Sequence, residues 1–74
     1  METLDKVKAG QSVIVRKIRG TGPVKKRLMD MGITQGTEIT VVKLAPLGDP
    51  IEMKLRGYDL SIRKADAELV EVEQ

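Results

Sequence analysis

The side chains able to do chemistry in this chain sit mostly in two runs. One is the cationic triplet Lys25, Lys26 and Arg27; the other is the carboxylate series Asp66, Glu68, Glu71 and Glu73. An arginine that stabilises a transferring phosphoryl group must be exposed and mobile, and Arg19 and Arg27 are the candidates by position. The carboxylates are the only metal ligands on offer, but no spacing gathers them around a cation, and they read more simply as a solvated face. The chain contains no Cys and no His. That removes thiolate nucleophiles, disulfides, the usual zinc sites and the side chain that titrates near neutral pH. Ser12, Ser61 and the threonines are left without an activating base, and each fits a strand or a turn. The sequence thus offers no catalytic residue, no cofactor site and no metal site, and a protein that is not an enzyme is expected.

Charge is unevenly distributed. Up to Arg27 there are eight bases and two acids; from Leu28 to Lys64 there are five of each; from Ala65 to Gln74 there are four acids and no base. This predicts a basic region and an acidic edge, able to orient a charged partner over the ~8–10 Å reach of electrostatics in physiological salt. Nucleic-acid binding is therefore the runner-up function, with phosphate contacts from the basic first third. Tyr58 is the only aromatic residue, which leaves almost no stacking platform for bases and no aromatic lining for a proline-rich peptide.

The elements that must position these groups are short. Leu4, Val7 and Ala9 form a lead-in that puts two apolar side chains on the core before a turn at Gly10 and Gln11. Ser12 to Arg19 is the first strand, with Val13 and Val15 on one parity and Ile14 and Ile18 on the other, as in a strand partly covered on both faces. Thr21 or Gly22 caps a helix of about Pro23 to Met31, with Pro23 at the first helical position. Val24, Leu28 and Met31 make its apolar stripe, and Gly32 ends it in a left-handed conformation that brings Ile33 onto Leu28. Glu38 to Leu44 and Ile51 to Arg56 are the second and third strands. Gly57 permits a reversal into Tyr58 to Arg63, whose core parity is Tyr58, Leu60 and Ile62. One helical turn at Ala65 to Ala67 precedes a last strand, Leu69 to Glu73. Five short strands with one inserted helix predict a mostly β fold, a small antiparallel barrel.

Between the second and third strands lies Leu44-Ala45-Pro46-Leu47-Gly48-Asp49-Pro50-Ile51, the best-marked stretch of the chain. Pro46 and Pro50 have no amide proton for a ladder, Gly48 accepts a positive φ, and Asp49 can bond nearby amides, so the loop is stiff. Leu47 at its tip and Met29 off the helix stripe, flanked by Lys26 and Arg27, are exposed apolar groups rimmed by charge, the pattern of a protein-contact patch. Lys25, Lys26 and Arg27 oppose the helix macrodipole at a cost of about 0.3–1 kcal/mol each, which suggests a negatively charged partner. Arg63, on the outward parity of its strand, is expected to pair with Asp49 or Glu52 and orient the loop.

Taken together, Leu28, Met31-Gly32, Gly36, the run Ala45 to Pro50, Gly57, Leu60, Arg63 and Ala67 resemble the FeoA family, small cytosolic proteins associated with the ferrous-iron transporter FeoB. The resemblance spans nearly the whole chain, 1–74 being read as one FeoA-like domain, and it implies an SH3-like barrel. It also implies an accessory protein without enzymatic activity that binds the cytosolic, GTP-binding side of FeoB. The partner-binding residues expected are Lys26, Arg27, Met29, Leu47, Asp49 and Arg63. The same fold is similar to the C-terminal domain of iron-dependent repressors, whose DNA-binding domain has no counterpart in these residues. No stretch approaches the ~18 apolar residues of a membrane span, so the expected location is cytoplasmic, peripheral to the membrane only through FeoB. An edge strand of so small a barrel also allows weak self-association.

Overall fold

A computed structural model describes residues 2–74. Six strands make one antiparallel sheet: β1 (Glu2–Thr3), β2 (Ser12–Ile18), β3 (Glu38–Leu44), β4 (Ile51–Leu55), β5 (Tyr58–Ile62) and β6 (Val70–Glu73). Their spatial order is β1-β6-β2-β3-β4-β5. Helix α1 (Pro23–Asp30) connects β2 to β3, and the single turn α2 (Lys64–Ala67) connects β5 to β6. The mostly β antiparallel architecture and the inserted helix agree with the sequence reading. The strand number does not: Glu2 and Thr3 pair with Val72 and Glu71 and add a sixth strand. Two residues carry no periodicity from which a strand can be read.

Val13, Val15 and Ile18 of β2 are all buried, although 15 and 18 differ in parity. The register against β6 slips between Val15 and Lys17. This bulge leaves Arg16 and Lys17 exposed in succession and returns Ile18 to the core. Ile14, on the other parity, is half-buried, so the strand is partly covered on both faces as expected, but the bulge moves Ile18 to the face of Val13 and Val15. A second slip, between Val41 and Lys43 where β3 meets β4, leaves Val42 and Lys43 exposed in succession.

The buried side chains form one cluster to which every strand from β2 to β6 contributes, with Leu4 and Val7 from the lead-in, Leu28 of α1 and Ile33 behind it. Each fully buried Leu, Ile or Val contributes about 1.5–3 kcal/mol over its exposed state. Helix α1 starts at Pro23 after Gly22 and stops where the sequence marks the stop. The amide of Gly32 donates to Met29 O at 3.0 Å and that of Ile33 to Leu28 O at 3.0 Å, the paired bonds of a Schellman closure. Gly32 has φ 97°, and a Cβ there would lie 2.6 Å from the Tyr58 hydroxyl. That hydroxyl donates to the Met31 carbonyl. Tyr58 is therefore a half-exposed strut on the α1 terminus and not the core residue its parity suggested.

Candidate protein-docking site

The β3–β4 loop closes as a tight turn. Gly48 N–H donates to Ala45 O at 2.8 Å, and Ala45 N–H donates to Pro50 O at 3.2 Å. Pro46 and Leu47 are the central residues, and Leu47 has φ 68° and ψ 10°. Those values belong to the third position of a type II turn, which favours Gly or Asn. For Leu the left-handed region costs about 1–2 kcal/mol. Packing does not offset it, because Leu47 is 99% exposed. A strained apolar side chain held in solvent is the feature of this fold that folding explains least. Val42 on the β3 bulge, 51% exposed, and Leu44, 39% exposed, carry apolar surface along the same hairpin.

Asp49 fastens the loop to α2. Its Oδ1 accepts the N–H of Lys64 at 3.0 Å, the first residue of a turn whose own N-cap, Arg63, offers no side-chain bond. The carboxylate thus supplies from another element the acceptor that the α2 N-terminus lacks. This corrects the expected pairing of Arg63 with Asp49 or Glu52: among the described residues Arg63 forms neither ion pair, and Asp49 is engaged with backbone. Arg63 instead lines a depression of 270 Å³ with Arg27, Met31, Ser61, Ile62 and Asp66.

In that depression Arg27 Nη2 donates to Asp66 Oδ2 at 3.0 Å. Two further contacts join the basic first third to the acidic tail: a hydrogen bond from Arg19 Nε to Glu71 Oε2 at 2.7 Å and an ion pair between Arg16 Nε and Glu73 Oε1 at 3.4 Å. The hydrogen bond from Arg19, aided by the charges of Arg19 and Lys17, holds the Glu71 carboxyl below its ordinary value of 4.5. The expected separation into a basic region and an acidic edge is largely cancelled, because the antiparallel pairing of β2 with β6 lays one run against the other. Arg19 and Arg27 are also tethered, so neither is the free guanidinium that phosphoryl chemistry would use. Among the described residues no group of three or more His, Cys, Asp or Glu could hold a metal ion.

The six expected contact residues do not form one patch. Leu47, Asp49, Arg63 and Arg27 lie on a connected stretch running from the hairpin through α2 to α1. Met29 follows Arg27 by two residues, about 200° around a helix at 3.6 residues per turn. Met29 lines a separate depression of 200 Å³ with Arg16, Lys17 and Lys25. Lys26 lies between these sides and pairs with Asp30 at 3.0 Å. The sequence reading missed Val42 and Leu44, which stand on the outward parity once Ile39 and Val41 face the core, and Asp66, which meets Arg27 only in the folded chain.

A family model described as the FeoA domain matches residues 2–74. The chain belongs to the FeoA family. It is similar to the Fe(2+) transport protein A/Fe(2+) transporter FeoB fusion protein of Porphyromonas gingivalis, at 37% identity over 70 residues. The match covers 95% of this chain and 8% of that protein, so the chain spans less than a tenth of this curated relative. The solution structure of iron(II) transport protein A from Clostridium thermocellum superposes with a TM-score of 0.93 at 35% identity, covering 97% of this chain and 44% of that one. FeoA of Stenotrophomonas maltophilia, solved with zinc and described as a prokaryotic SH3 domain protein, matches at a TM-score of 0.86. That match covers 99% of this chain and 91% of the other, and at 22% identity it is a likeness of fold, which is accordingly SH3-like. Among the described residues no helix is long and apolar enough to cross a membrane.

Proposed function

We propose that this FeoA-family chain acts as a non-enzymatic accessory protein of ferrous-iron uptake, a single domain that docks from the cytoplasm on the GTP-binding part of a FeoB-type transporter. The observation that carries the proposal is the fusion relative, in which a stretch 37% identical to this chain is joined to a Fe(2+) transporter FeoB. Covalent linkage holds two modules at a high effective concentration, which serves a pair that must meet. Leu47 is the anchor of the docking surface, Asp49 fixes its loop against α2, and Arg63 with Arg27 gives the adjoining rim its positive charge.

The test is a titration of the purified protein with the GTP-binding region of such a transporter, loaded with GDP or a GTP analogue, and in parallel with an oligonucleotide across a salt series. Saturable binding to the transporter region with a shallow salt dependence is expected. Binding to the oligonucleotide alone, falling steeply with salt, would overturn the proposal, because phosphate contacts would then be the function of the cationic first third.

A further inference from the structure

The depression between β2 and α1 differs in charge from the two other depressions, one at Arg27 and Arg63 and one at Val42. Arg16, Lys17 and Lys25 line it, no carboxylate does, and Met29 supplies its apolar surface at 46% exposure. By contrast, the Arg27–Arg63 depression includes Asp66, and the surface around Val42 includes Glu52, Lys54 and Asp59. Two of its cations, Arg16 and Lys17, stand outward side by side at the bulge in β2, and the third, Lys25, comes from α1.

Not all of that charge is free. Arg16 reaches Glu73 at 3.4 Å. Lys17 stands opposite Glu71 in the ladder, but that carboxylate is taken by Arg19 at 2.7 Å. Lys25 has no ion-pair partner among the described residues, and it sits in the first turn of α1, where the positive end of the helix dipole adds to its field. Lys17 and Lys25 therefore flank an adaptable thioether, with the Gln35 amide at the margin able both to donate and to accept a backbone hydrogen bond.

We infer that this depression is a second docking site, on the far side of α1 from Arg27, and that its occupant is an acidic peptide segment bearing an aliphatic side chain. The carboxylates of the segment meet Lys17 and Lys25, and its aliphatic group covers Met29. A nucleic acid would use the same cations but would find no aromatic surface for its bases, since Tyr58, the one aromatic residue, does not line the depression and its hydroxyl is bonded to the Met31 carbonyl. The inference stands apart from transporter docking and uses none of the hairpin residues.

The full-length protein, labelled with ¹⁵N, is titrated with a synthetic peptide in which several Glu flank a central Leu pair. Three competitors are run beside it: the same peptide with Gln for Glu, the same peptide with Ser for Leu, and an oligothymidylate of matching length. Saturable amide shifts centred on Lys17, Lys25, Met29 and Gln35 are expected with the acidic Leu peptide, and about tenfold weaker binding with either altered peptide. The double variant Lys17→Gln/Lys25→Gln and the single variant Met29→Ser should each weaken binding about tenfold, whereas Lys43→Gln/Lys54→Gln, which removes the same charge elsewhere, should not. All three should retain the fold, checked by circular dichroism, since every substituted side chain is exposed. Equal binding of the uncharged peptide, equal loss in the Lys43/Lys54 control, shifts centred elsewhere, or tighter binding of oligothymidylate would each overturn the inference. The titration contains no transporter, so its failure would leave the hairpin proposal standing.

Discussion

Leu47 allows stability and docking to be separated at a single position. Its side chain is 99% exposed, so Leu47→Ala removes no buried area, and Ala bears the same left-handed strain; the folding free energy should move by less than about 0.5 kcal/mol. Leu47→Gly relieves about 1–2 kcal/mol of strain and returns about 0.5–1 kcal/mol through the freedom of the unfolded chain. The net is a gain of about 0–1.5 kcal/mol, each 1 kcal/mol being worth about 4–8 °C in Tm for a domain of this size. Docking should respond in the opposite sense. Burying a Leu contributes about 1.5–3 kcal/mol, so truncation should weaken Kd for the GTP-binding region of the transporter by about tenfold or more. Thermal unfolding and isothermal titration on the same preparations read both quantities. An unchanged Kd would refute the anchor role. A fall of several degrees in Tm for Leu47→Gly would refute the account of strain.

Gly32→Ala should cost about 2–3 kcal/mol, combining left-handed strain with displacement of the Tyr58 hydroxyl from Met31, and Tyr58→Phe about 1 kcal/mol by itself; urea unfolding of both checks the order. Asp49→Ala should cost about 1 kcal/mol and expose the Lys64 amide to faster hydrogen exchange, with Asp49→Asn in between. Glu71 has a lowered folded pKa, so the stability it contributes is present above its unfolded pKa and is lost as pH falls through the folded value. Glu71→Gln should therefore lower the urea midpoint at neutral pH and flatten its decline at and below the ordinary value of 4.5, a difference visible in a pH series. Arg63→Ala should leave Tm within about a degree or two, as for an exposed side chain without an ion pair, while reducing affinity for the transporter region.

Helix α1 was legible because its signals are local. Pro23 at the start, the stripe Val24, Leu28 and Met31, and Gly32 with Ile33 at the end each act within one or two turns. The two strands around the Pro-marked loop were legible for the same reason. What the sequence did not disclose depends on partners distant in the chain. The bulge at Arg16 exists only against β6, and the cancellation of the basic first third by the acidic tail follows from that same pairing. Gly48 was recognisable as a residue for positive φ, but the same requirement at Leu47 comes from closure of the turn between Ala45 and Gly48. Tyr58 followed its strand's parity, yet its position at the rim lets its hydroxyl reach Met31. The division of the predicted patch was within reach: rotation of 100° per residue already sets Met29 away from Arg27.

The central claim is that the hairpin tip and its α2 support are the docking surface for a FeoB-type transporter. The most direct measurement is an amide chemical-shift map of ¹⁵N-labelled protein on addition of the transporter's GTP-binding region. The account predicts perturbation concentrated at Leu47, Gly48, Asp49, Arg63 and Lys64, extending to Arg27. Perturbation confined to the β2–α1 depression, or none at saturating concentration, would contradict it.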